Sequence, residues 1–159
     1  MIDVRFPTAL QIMLSLALAE QQSVPHLSSS QLAKSLGANP SFVRKLLVPL
    51  VQCKLLHSQM GKAGGVRLGL PAADITLRDI YRAVVADTKI WAPRTGIPHR
   101  CLVSSNVQGY FEELIDDAQE AILSMLGQRT LLQALTELEI RESAKRTTSK
   151  VRLSVRNKR

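Results

Sequence analysis

The chain has 159 residues, 45% hydrophobic and 21% charged, which is enough apolar material for one ordinary core and too much for a disordered chain. Its 21 Lys and Arg outnumber 13 Asp and Glu, and the net charge of +8 points to a polyanionic partner. Two cysteines cannot build a disulfide framework, and no apolar run reaches the length of a membrane-spanning helix, so a cytoplasmic, reducing setting with no membrane partner is expected.

Phe6, Ala9, Leu10, Met13, Leu14, Ala17 and Leu18 recur at helical spacing, so a first helix is expected over about residues 6–20. The stretch is broken by Pro7, Gln11 and Ser15 and lacks a basic leader, which makes it a domain helix and not a signal peptide. After a polar segment containing Pro25, Ser28, Ser29 and Ser30 offer N-caps for a short helix with Leu32, Ala33 and Leu36 inward. Gly37 stands where a left-handed C-terminal residue belongs. Asn39 and Pro40, a capping residue and a favoured first helical residue, open a helix over about 40–53. Its apolar stripe is Val43, Leu46, Leu47, Leu50 and Val51, and its other face carries Ser41, Arg44, Lys45, Val48 and Gln52. Pro49 removes one backbone hydrogen bond at a cost on the order of 3 kcal/mol, so a bend or an early fray is expected there. Cys53, at the end of the stripe, reads as a buried core thiol.

Residues 55–60 and 66–70 then read as two strands of a hairpin around a turn at 61–65. Thr76 and Asp79 have the spacing of a capping box and open a helix to about residue 86, with Leu77, Ile80, Tyr81 and Val84 inward. Residues 87–105, which include Trp91, His99 and Cys101, show no period and read as a long loop. A long helix follows over about 106–126 with Phe111, Ile115, Ala118, Ile122 and Met125 on one stripe, and 130–143 is a further helix or its continuation. The remainder, 144–159, reads as a basic flexible tail whose cations can add non-specific phosphate contacts.

Charge follows this division. Residues 1–100 carry a net +7, residues 101–140 a net −6, and residues 141–159 a net +7. Two short helices joined at a glycine and followed by a glycine-tipped hairpin make a winged helix-turn-helix over residues 1–86, so the expected fold is mainly α with a small β-hairpin. The second helix of such a pair presents its N-terminal polar face to the major groove of double-stranded DNA. The expected DNA-contacting set is Ser30 and Gln31 at the start of the first short helix, Ser41, Phe42, Arg44 and Lys45 on the second, and Gly61, Lys62, Gly64, Gly65 and Arg67 in the wing. Arg44 can read guanine bidentately, and the glycines permit tight turning and close approach to DNA.

Three segments carry a family resemblance. Ser30-Gln31-Leu32-Ala33-Lys34-Ser35-Leu36-Gly37, Ser41-Phe42-Val43-Arg44-Lys45-Leu46-Leu47 and Gly61-Lys62-Ala63-Gly64-Gly65-Val66-Arg67-Leu68 together resemble the Rrf2 family of bacterial winged-helix transcription regulators, over about residues 3–135. The resemblance implies a homodimer held by the long C-terminal helix, here the region 106–143, and a repressor that binds a palindromic operator. Cluster-binding members carry three cysteines in the loop after the 77–84 helix. This chain has only Cys101 there, and an iron–sulfur cluster needs four ligands, mostly thiolates, so no cluster and no other cofactor is expected.

Other constellations give less. Cys101 beside His99 and Arg100 is a candidate thiol sensor in the 87–105 loop, since nearby positive charge lowers a thiol pKa. Glu112, Asp116 and Glu120 line one helix face, but a bundle metal site also needs histidines, and none follows Cys101, so no metal site is expected. Trp91 and Tyr110 fit either an effector pocket, for a small molecule or a protein, or ordinary packing. No nucleophile–base pair, phosphate loop or metal spacing marks an enzyme. The rival reading is a protein-interaction module that uses the acidic C-terminal helix without specific DNA binding.

Overall fold

Local capping chemistry sets most of the element boundaries in the computed structural model, which describes residues 3–61, 64–85, 89–92, 94, 96–98 and 101–156, with side chains as far as Thr147. In chain order the elements are α1 (Arg5–Gln21), α2 (Ser29–Leu36), α3 (Pro40–Gln52), β1 (Leu56–Gln59), β2 (Gly65–Leu68), α4 (Leu77–Val85), α5 (Leu102–Gly127) and α6 (Leu131–Arg156). The fold is mainly helical, with one antiparallel hairpin in which Leu56 faces Leu68 and Ser58 faces Val66. Ile12, Met13, Leu32, Val43, Leu50, Ile75, Ile80 and Leu131 are fully buried, so α1, α2, α3, α4 and the start of α6 share one core.

α2 and α3 each begin on a side-chain cap. Ser28 Oγ accepts the Gln31 N–H at 3.2 Å while Gln31 Oε1 accepts the Ser28 N–H at 2.8 Å. Asn39 Oδ1 accepts the N–H groups of Ser41 and Phe42 at 2.8 and 3.3 Å. Three helices end on one left-handed residue: Ser23 after α1, Gly37 after α2 and Lys54 after α3, all with φ near 60°. In each case the next residue's N–H returns to the last turn, as Leu55 does to the Leu50 carbonyl at 3.0 Å.

That lock corrects two expectations. Of the bend or early fray expected at Pro49, the fray does not occur: α3 runs to Gln52, with the Cys53 N–H donating to the Pro49 carbonyl at 2.9 Å. Pro49 sits in the last turn, so one bond is lost and the terminal lock offsets it. Cys53 is not buried but exposed. The left-handed turn at Lys54 swings the chain so that Leu55, and not Cys53, continues the stripe of Val43, Leu46 and Leu50 into the core.

The C-terminal half departs further from the sequence reading. The loop expected to reach residue 105 ends at Cys101, because Cys101 caps α5: its Sγ accepts the Ser104 N–H at 3.5 Å and its N–H donates to Ser104 Oγ at 3.0 Å. The inner stripe of α5 ends on buried Leu126 and leaves Met125 exposed, since the run Ile115, Ala118, Ile122 continues at a spacing of four. A Thr130–Gln133 capping box starts α6 as a separate helix. The segment read as a flexible tail is helical through Arg156, with the ion pairs Glu137–Arg141 and Glu142–Arg146 one turn apart supporting it.

Candidate nucleic-acid interface

The Asn39 cap and Pro40 fix the start of α3, and the buried stripe Val43, Leu46, Leu47 and Leu50 fixes its rotation. Those two constraints leave Ser41, Arg44, Lys45, Val48 and Gln52 exposed on one side. Arg44 Nη2 donates to Ser41 Oγ at 3.3 Å, which holds the guanidinium along the helix surface. Phe42 is half-buried and packs against the core, so its ring supports α3 more than it extends from it. Ser30 is exposed in the first turn of α2. Gln31 is exposed too, but its carbonyl oxygen is held by the α2 cap.

The hairpin stands beside α3. Leu27, just before α2, pairs with Val66 of β2 through two backbone hydrogen bonds of 2.9 and 3.0 Å, so the wing is tied to the start of the helix-turn-helix. This bridge gives Gly65 a reason other than approach to DNA. A Cβ at Gly65 would lie 2.6 Å from the Leu27 carbonyl oxygen, and one at Gly64 would strike the backbone of Gln59, Met60 and Gly61. Both are glycine because the chain approaches itself, and only Gly61, at φ 114°, meets the turning requirement alone. Lys62 lies outside the described residues. Arg67 pairs in register with His57, and its strand neighbours Val66 and Leu68 are buried, so it points away from the core. It lines the cleft toward the end of α1 that Glu20 and His26 share. The cleft between hairpin and α3, about 480 Å³, is lined instead by Arg44, Val48, Gln52, Ser58 and Gly65. Val48, Gln52 and Ser58 stand outside the expected DNA-contacting set; the spacing of Val48 and Gln52, one and two turns beyond Arg44, is the signal that marks them.

The remaining candidates lie elsewhere. Cys101 is exposed, and hydrogen bonds from the Ser104 hydroxyl, then from the Ser104 and Val103 N–H groups, hold its thiol below the ordinary range. His99 and Arg100, whose charge was the expected cause, lie outside the described residues. Trp91 adjoins Phe111 at 6.5 Å, while Tyr110 is largely exposed, so the structure does not join Trp91 and Tyr110 in one pocket. Glu112, Asp116 and Glu120 are exposed along α5, with Lys89 on Asp116 at 3.3 Å. Among the described residues no group of three His, Cys, Asp or Glu is placed to hold a metal ion. No helix among them is long and apolar enough to cross a membrane.

The family model described as "Rrf2: Iron-dependent Transcriptional regulator" matches residues 2–137. The chain belongs to the Rrf2 family. It is 28% identical over 138 residues, 87% of this chain and 99% of the other, to YwnA of Bacillus subtilis, a protein named for an HTH-type transcriptional regulator. The fold is that of winged-helix regulators of known structure. One from Lactobacillus plantarum superposes with a TM-score of 0.74 at 21% identity, covering 94% of this chain and 99% of that one. CymR, the global cysteine regulator of Bacillus subtilis, superposes with a TM-score of 0.60 at 20% identity, covering 86% and 97%. This Rrf2 chain is thus a DNA-binding transcriptional regulator by family. The family description refers to iron; the two cysteines of this chain sit on separate elements, Cys53 closing α3 and Cys101 opening α5.

Proposed function

We propose that this chain is a homodimeric repressor that binds a palindromic operator without an iron–sulfur cluster. The observation that carries the reading is the single exposed row on α3, fixed in rotation by its cap and its buried stripe, beside a hairpin anchored to the start of α2. On this reading α3 enters the major groove, Arg44 reads a guanine edge, and Ser41 and Lys45 take phosphates or neighbouring base edges. Ser30 meets the backbone from the first turn of α2, and the wing, with Lys62 and Arg67, meets the flanking backbone or minor groove.

The dimer has a physical motive. α5 buries Ile115 and Leu126 on one side and leaves Val103, Tyr110 and Leu114 exposed on another, a second apolar face that a twin helix would cover. A two-fold dimer presents two copies of α3, and its operator is therefore palindromic. The segment leading into Cys101 is the candidate place for an effector or a thiol change to act on dimer geometry.

Footprinting on DNA upstream of the gene, with sedimentation of the protein, tests this. A protected palindrome and a dimeric mass are expected. Binding without sequence preference, or a monomer that still footprints a single half-site with full affinity, would refute the specific regulator or its dimer. Anaerobic purification that yields stoichiometric iron and sulfide would refute the cluster-free assignment.

A further inference from the structure

The exposed side of α3 is polar except at one place. Ser41, Arg44, Lys45 and Gln52 are exposed there, and among them Val48 is 56% exposed. Val48 follows Arg44 by four residues and precedes Gln52 by four, so the three side chains form one row along the helix. It opens on the cleft toward the hairpin, whose lining combines Leu47, Val51 and Val66 with Ser29 and Ser58. Val48 stands outside the core cluster. The core beneath is filled by Val43, Leu46, Leu47 and Leu50, and a β-branched residue lowers helix propensity.

The major groove of DNA offers one apolar group, the 5-methyl of thymine. We propose that Val48 is a specificity-determining residue that reads this methyl group within the operator, an assignment that rests on α3 being the major-groove element. Its place relative to Arg44 follows from helix geometry. Four residues rise about 6 Å along α3, and base pairs stack about 3.4 Å apart, so the thymine lies within about two base pairs of the base that Arg44 contacts. The row then reads a hydrogen-bonding edge at Arg44, an apolar edge at Val48 and an amide partner at Gln52.

The test begins with the full chain and duplexes selected by it from a randomised pool. Each thymine of a selected duplex is replaced in turn by uracil, which removes the methyl group and nothing else. One position per half-site is expected to weaken wild-type binding about fourfold, the worth of one buried methyl. Val48→Ala is expected to show that loss already on the thymine duplex and to be indifferent to uracil at that position. Alanine is the stronger helix former, so the variant keeps α3. The assignment is overturned if Val48→Ala loses the same affinity on thymine and uracil duplexes, or if no uracil-sensitive position lies within two base pairs of the one lost in Arg44→Ala. It is also overturned if Val48→Ala changes the sedimenting mass, which would place Val48 in a contact between copies. A wild-type chain that selects no sequence overturns the major-groove reading as well; clear selection without uracil sensitivity overturns the Val48 assignment alone.

Discussion

Gly65→Ala tests whether the wing is fixed by the chain's own backbone. The new Cβ would stand 2.6 Å from the Leu27 carbonyl oxygen and 2.8 Å from its carbon, where ordinary contact begins at about 3.4 Å. Both partners are backbone, so the two segments must part by roughly 0.8 Å. That movement stretches the Leu27–Val66 hydrogen bonds, now 3.0 and 2.9 Å, past useful range. Two net hydrogen bonds are worth about 2 kcal/mol. Ser28, next to Leu27, caps α2, and a disturbed cap adds about 1 kcal/mol. The expected loss is therefore about 2–3 kcal/mol, or roughly 4–12 °C in Tm for a chain of this size. Urea unfolding followed by far-UV circular dichroism measures it, with wild type and variant at one protein concentration. Gly109→Ala is the control. It lies within α5, where an added Cβ meets open space, and is expected to gain up to about 1 kcal/mol. A Gly65→Ala midpoint within about 0.5 kcal/mol of wild type would refute the backbone-contact argument and return Gly65 to a role at the DNA surface.

Ser23→Gly and Lys54→Gly should each stabilise the fold by about 1 kcal/mol, because both residues hold a left-handed φ near 60°; a loss in thermal unfolding would show that their side chains matter more than the backbone strain. In a Cys53→Ser background, the pH profile of Cys101 alkylation should lie below that of an ordinary thiol. Ser104→Ala should move it upward and slow the reaction at neutral pH, since the lost hydroxyl stabilises the thiolate; an unmoved profile would remove that hydrogen bond as the cause. Arg44→Ala should cost about 1–3 kcal/mol on the selected duplex and little on unrelated DNA, and equal losses on both would reduce Arg44 to a phosphate contact.

The reading head was legible because its signals are local. Asn39–Pro40, Gly37 and the Thr76–Asp79 pair each specify a backbone conformation within three or four residues, and all three stand where the sequence put them. The misses share a different origin. Cysteine is not among the favoured capping residues, so the start of α5 was invisible without knowing that Ser104 answers Cys101. Lys54 carries no mark of the left-handed turn that sends Cys53 outward, since glycine is the residue expected there. Gly65 was visible as a glycine, but the reason for it lies at Leu27, nearly forty residues earlier, and only the folded chain shows it; the close contacts of Gly64 lie within the hairpin itself, at Gln59, Met60 and Gly61.

The charge division along the chain becomes a division in space. α4 packs against both α3 and α5, so it stands between the helix with the exposed cations and the helix with the exposed carboxylates. Glu112, Glu113, Asp116, Asp117 and Glu120 are all exposed on α5; Lys89 forms an ion pair with Asp116, and the Gln108 amide donates to Glu112. Phosphates approaching that side meet like charge, while those approaching Arg44 and Lys45 do not, and the difference acts at distances up to about 10 Å in ordinary salt. On the proposed reading, with α3 in the groove, the acidic helix would penalise DNA docked on the α5 side and so add an orientation that the cationic head's own charge would not specify.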